Sequence, residues 1–313
     1  TDAVQRRSND FVYDCMKDDE AEEVESQSVI QVEVALDGIT IVFPIGGSGQ
    51  ECVDLMGGLT MDQLRWMYSS YSESELEKSG WDPTCLGNSD LDSSTHLWSE
   101  LDRRCAEEEI RLSGDYQGGE SFVQFSELVL TDYDNGERIA TDRPKPYLEA
   151  TGVDLWIAAR QHDEMVSYIE YHQFFEHQDA YWAAPVASKT GDPFVEPLQA
   201  RLTDRTYPLT HSIFVNVLND GESLGDAAAL LNLGFSHPEL IHELGYAPLV
   251  DDQRNEMFSR LINGPYASTI EDEVDDDDEG GRTGLIIGTI AVALLGAVLV
   301  GVIFMYRCKR RRR

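Results

Sequence analysis

The residues best suited to chemistry lie in the run Gly118-Gly119-Glu120-Ser121. It follows a short predicted strand at 110–112. It opens a predicted helix at 122–130 that carries Phe122, Phe125, Leu128 and Val129 on one side. A glycine-rich turn between a strand and a helix is an anion trap. The first amides of the helix have no partner within it, and the helix dipole adds positive potential. Gly118 and Gly119 would offer backbone N–H groups at close range, and Ser121 a hydroxyl. The same run also reads as an ordinary loop in which Ser121 or Glu120 caps the helix. Turnover chemistry finds less support. The HExxH, GxSxG and GxxxxGK[ST] patterns are all absent. His172 and His177 are five apart, about 140° around a helix, so they do not share a face. His162-Asp163 is the kind of pair that chance supplies in so acidic a chain. The expectation is a binding protein, not an enzyme, with no metal and no cofactor.

Cysteine is the other reactive type. Cys15, Cys52, Cys85 and Cys105 precede an apolar segment, and Cys308 follows it. Four cysteines in an oxidising compartment suggest two disulfides, with three possible pairings. Cys15–Cys52 with Cys85–Cys105 is the favoured set. No CxxC knuckle and no Asn-x-Ser/Thr sequon is present. Cys308, beside a basic cluster, is a candidate for palmitoylation.

The elements that must position these residues alternate between strand and helix. Val29–Val34 and Gly38–Phe43 are β-rich runs, with Asp37-Gly38 reading as a turn between them. Thr60-Met61-Asp62-Gln63 is a capping box that opens a helix through Tyr68. Residues 72–96 are polar and read as an insertion pinned by Cys85. Val166–Tyr171 fits strand or helix, and Ser212–Leu218 is a clear strand. Helices capped near Ser223, Ser236 and Asp251 follow. Such alternation predicts an α/β domain with a largely parallel sheet.

Leu285–Tyr306 is 22 residues without a charge. As a helix it spans about 33 Å, the hydrocarbon core of a bilayer. The basic run 307–313 follows at once and predicts a cytoplasmic C-terminus. The expected layout is a binding domain at 1–267, an acidic stalk at 268–283, one transmembrane helix at 284–306 and a tail at 307–313. The membrane is thus an expected partner, in a single-pass protein whose ectodomain faces outside or an organelle lumen. That topology needs a signal peptide; none is visible after Thr1, so a processed or truncated chain is expected.

The chain of 313 residues holds 24 Lys+Arg against 58 Asp+Glu, a net of −34. Six of the positives lie in 307–313; without them 18 positives face 58 negatives, a net of −40 over 1–306. A surface so acidic repels polyanions, which excludes nucleic acid as a partner. Hydrophobic residues at 42% and charged at 26% exclude a wholly disordered or polytopic chain.

Several stretches, in order, resemble the PstS-like phosphate-binding proteins of bacterial ABC phosphate importers. Val34–Val42 is similar to their segment crossing into the second lobe. Leu59-Thr60 through Trp66-Met67, after Cys52, is similar to their C-L-T-x-x-x-L-x-x-I helix, with Cys15 at the place of the partner cysteine. Ile110–Gly114 with Phe125-Ser126-Glu127 resembles their strand, S-G-T phosphate turn and F-T-E helix. Val166–Tyr171 looks like I-G-Y-x-x-Y, and Tyr207-Pro208-Leu209-Thr210 like Y-P-L-[ST]-R before the return strand. The likeness runs over about residues 10–262.

The resemblance implies a two-lobed, type II periplasmic-binding-protein-like α/β fold, incomplete at its N-terminus. Lobe one would take about 1–38 and 185–267, and lobe two 39–184. It implies capture of phosphate or a similar oxyanion by Gly118, Gly119 and Ser121. A degenerate fold reused as a receptor or adhesion module is the alternative, and no transporter or receptor partner can be named. The departures are specific. If Ser121 takes the place of the family Thr, Glu120 takes that of a Gly, and a carboxylate beside phosphate costs Coulomb energy. Asp115 stands near a family Arg, and His211 replaces another. The Gly/Ser phosphate loop of lobe one has no counterpart and is expected upstream of Thr1.

Overall fold

A computed structural model describes residues 29–69, 71–87, 96–115, 119–130, 147–149, 165–218 and 221–262. These fall within one compact unit, Thr1–Gly264. The predicted stalk, span and tail, with Cys15, Gly118 and Cys308, lie outside the described residues. Among the described residues, no helix is long and apolar enough to cross a membrane.

One long strand organises the molecule. β1 runs unbroken over Val29–Pro44. Its first part pairs antiparallel with β8 (Thr210–Leu218), in register from Val29↔Leu218 to Gly38↔Thr210, with a bulge between Glu33 and Ala35. From Ile39 onward it pairs antiparallel with β5 (Met165–Glu170), and from Val42 with β6 (Tyr181–Ala183). β3 (Arg111–Gly114) lies parallel to β5 and to β4 (Tyr147–Glu149). The sheet order is β4-β3-β5-β1-β6, with β8 also on β1. A short parallel pair joins β2 (Leu59–Thr60) to β7 (Val186–Ala187).

Two expectations are corrected here. The sheet is mixed, because β5, β6 and β8 all run against β1. Asp37-Gly38 is not a turn either. The Asp37 carboxyl oxygen Oδ1 accepts the Gly38 N–H at 2.8 Å, which satisfies the Asp side chain locally while the strand continues. The neighbouring strands supply the other backbone partners.

The helices cover the sheet. α1 (Ser48–Met56) and α2 (Met61–Tyr68) follow β1. At α2 the predicted capping box is present: Thr60 Oγ1 accepts from the Gln63 N–H at 3.1 Å, and Gln63 Oε1 accepts from the Thr60 N–H at 2.8 Å. Every residue of α2 is buried, because α5 (Glu120–Val129) lies beside it. Phe125 of α5 stacks on Tyr168 of β5 at 4.1 Å, and Tyr68 meets both rings edge-on. Such aromatic pairs add about 0.5–1.5 kcal/mol each beyond area burial. The Tyr68 hydroxyl lies 3.2 Å from the carbonyls of Ser113 and Val166, holding β3 and β5 side by side. Within the predicted insertion lie α3 (Glu73–Lys78) and a 3₁₀ turn, Pro83–Cys85, and Leu76, Trp81 and Cys85 are buried. α4 (Trp98–Leu101) returns the chain to the core through Trp98. Then come α6 (Tyr171–Glu176), α7 (Gln199–Thr203), α8 (Gly221–Ser236), α9 (Pro238–Glu243) and α10 (Asp251–Ile262).

The disulfide is Cys52–Cys105, not Cys15–Cys52 with Cys85–Cys105. Cys85 is a free, buried thiol. It is turned inward, where burial, with Asp62 and Asp82 nearby, pushes its pKa well above the usual thiol range. Its backbone carbonyl accepts from Gln63 Nε2 at 2.9 Å, which ties the turn to α2.

Candidate functional site

Strand register brings the polar residues together. Asp37 lies opposite His211 on β8, and Ile39 lies opposite Glu170 on β5. Residues two apart on a strand share a face. Asp37, Glu170 and His211 therefore project from one face, on either side of β1. The end of β5 that carries Glu170 is also where β3 hands over to Asp115 and α5. The carboxyl ends of parallel strands, at a point where the strand order reverses, as it does between β3 and β5, are where open α/β sheets take ligands.

Asp37 is 1% exposed. Beyond its own Gly38 amide, Oδ1 accepts the His172 N–H at 3.3 Å, and Oδ2 lies 2.6 Å from His172 Nδ1. The His172 ring stacks on Tyr246 at 4.8 Å. Glu170 is 4% exposed. Neither of its carboxyl oxygens has a hydrogen-bond partner in full geometry. His211 Nε2 lies 3.5 Å from Glu170 Oε2. Burial, then Asp37, Glu120 and Asp115, push the Glu170 carboxyl up to about 9, and the nearby Ser121 hydroxyl opposes them. At pH 7 Glu170 is a neutral acid. Burial draws His211 down, opposed by Asp37, so its imidazole is neutral too.

The predicted anion turn has a different character from the one expected. The helix cap is Gly119, not Ser121 or Glu120, and it makes no side-chain cap hydrogen bond. Gly119 has extended backbone, and a Cβ there would come 1.9 Å from the Asp115 carboxyl, which would have to swing aside. An acidic side chain of the protein itself thus lies against the first turn of α5. Ser121 is buried and Glu120 exposed. Gly118 lies outside the described residues. Sequence reasoning missed the grouping of Asp37, Glu170 and His211. The β-rich runs of β1 and β8 were the signal, but only the register turns them into proximity.

No protein-family model and no curated protein sequence matches the chain. Solved structures do. A possible phosphate binding protein from Planctomyces limnophilus superposes with a TM-score of 0.53 at 19% identity, over 79% of this chain and 77% of that one. The high-affinity periplasmic phosphate-binding protein PfluDING, bound with phosphate, superposes with a TM-score of 0.50 at 12% identity, over 77% and 75%. The chain has the fold of these phosphate-binding proteins. The order of weak motifs along the sequence pointed to the same fold. At these identities the likeness concerns the fold, and the ligand has to be argued from the residues.

Proposed function

We propose that this chain is a non-catalytic capture module that takes inorganic phosphate or a similar oxyanion and is tethered to a membrane. The observation that carries this reading is the placing of Gly119 and Ser121 at the start of α5, beside the carboxyl ends of β3 and β5. Backbone amides and the Ser121 hydroxyl are the donors, with Gly118 as a third. Neutral Glu170 adds an O–H. Asp37 and Asp115 are acceptors, so the captured species must bring a proton, which favours hydrogen phosphate over sulfate. The lobes would be about 1–38 with 185–267, and 39–184, joined through β1 where its partner changes from β8 to β5. Residues 268–283 serve as a stalk, 284–306 as a single membrane span and 307–313 as a cytoplasmic tail in which Cys308 carries a lipid. The ectodomain faces outside or an organelle lumen.

A second reading, a receptor or adhesion ectodomain with no small ligand, is favoured by one contact. The Asp115 carboxyl already lies over Gly119, where the oxyanion would approach. Calorimetry on the full chain in detergent separates the two. Capture predicts millimolar or tighter binding of phosphate, with sulfate and chloride weaker. Chloride-like heats in the native chain, with phosphate binding gained on Glu120→Gly or Asp115→Ala, would establish the receptor reading instead.

A further inference from the structure

We propose that Asp37, Glu170 and His211 form a binding site for a divalent transition-metal ion of the zinc class. One ligand atom from each lies within 4.8 Å of the others. The spacing within the group is informative. His211 Nε2 and Glu170 Oε2 stand 3.5 Å apart, too far for a hydrogen bond. Two ligands on one tetrahedral zinc, with bonds of 2.0–2.2 Å, are about 3.4 Å apart. The pair is thus at the separation that a shared ion sets.

A second observation is independent of this spacing. Glu170 is 4% exposed and turned into the group, yet neither carboxyl oxygen reaches a partner at hydrogen-bond geometry, the Ser121 hydroxyl being its one near neighbour of that kind among the described residues. A buried carboxyl without partners is costly, and a cation in contact with it removes that cost. Binding the ion displaces the proton that Glu170 otherwise holds, and two carboxylates and one neutral imidazole then balance the charge of a divalent ion. They also specify its type: imidazole with carboxylate suits zinc and its neighbours, whereas calcium and magnesium prefer all-oxygen shells. Asp37 is already oriented by an outer layer, the His172 ring at 2.6 Å and the Gly38 amide at 2.8 Å, as ligating carboxylates are in metal sites. Three protein ligands leave one position for water or an anion.

This inference does not rest on phosphate capture, and its test contains no phosphate. The full chain in detergent, stripped with chelator, is titrated with zinc chloride by calorimetry. One site of micromolar or tighter affinity is expected. Glu170→Gln and His211→Gln should each weaken it by at least about 100-fold, the upper end of what losing a mere outer-layer partner costs. Far-UV dichroism checks that both variants fold. Neutralising the acidic run Asp275–Glu279 should leave the tight site in place. Zinc K-edge absorption on the unaltered chain needs no variant and should show imidazole scattering. No tight site, affinity unchanged from the native chain in both ligand variants, loss of the site with the neutralised run, or an all-oxygen shell would each overturn the proposal.

Discussion

Glu170 offers the most direct test of the electrostatics of the site. Its carboxyl is raised from the ordinary 4.5 to about 9 by burial and by neighbouring acids. The folded state therefore holds a proton that the unfolded state releases above pH 4.5. The sign follows from linkage: the contribution to stability is fully present below pH 4.5 and is lost progressively as pH rises towards 9. The slope is about 1.4 kcal/mol per pH unit, so by pH 7 the loss relative to pH 4.5 amounts to roughly 3 kcal/mol. Glu170→Gln keeps the shape and removes the proton. Urea denaturation of both chains, in chelator, should give similar stabilities at pH 5. The variant should lead by about 3 kcal/mol at pH 7 and by more at pH 8. Self-repulsion of so acidic a chain also varies with pH, but it is common to both chains and cancels in the difference. Parallel stability curves from pH 5 to pH 8 would refute the reasoning, because they would mean that Glu170 ionises in the folded protein as freely as in water.

Two further outcomes concern the scaffold. Peptide mapping under non-reducing conditions should recover Cys52 joined to Cys105, with Cys85 alkylated only after unfolding; Cys52→Ser with Cys105→Ser should cost about 4 kcal/mol, since the bridge closes a separation of 53 residues. Gly119→Ala should cost less than about 1 kcal/mol, because its Cβ meets only the Asp115 carboxyl, the end of a side chain that can rotate aside; thermal melts of the variant against the native chain check this.

What was legible in the sequence was local. The Thr60/Gln63 box spans four residues and carries its own hydrogen bonds, so α2 could be read directly. The apolar, β-branched run of β8 and the strand–turn–helix at 111–129 were equally self-contained. Asp37-Gly38 misled because turn propensity is a local statement. In the protein Asp37 finds a partner in His172, 135 residues away, and the strand runs on. The disulfide failed for the same reason: Cys85 looked free to pair until Gln63 and the fold around Trp81 turned it inward. The candidate site was the least legible part. His172 was judged by its spacing from His177 on one helix, whereas His211 meets carboxyl groups contributed by two other strands. No spacing rule contains that information, since three segments far apart in the chain converge only through the register of β1 with β5 and β8.

The length of β1 has a consequence for biogenesis. Gln31 reaches its cross-strand neighbour Asn216 across 185 residues of chain. At ribosomal speeds of about 5–20 residues per second, β1 waits roughly 10–40 s before β8 has been synthesised. During that interval Val32 and Leu36, which end fully buried on the part of β1 that β8 covers, lack that strand as a partner. A chain ending before residue 210 would leave the first part of β1 with an unpaired edge, the kind of edge that templates aggregation.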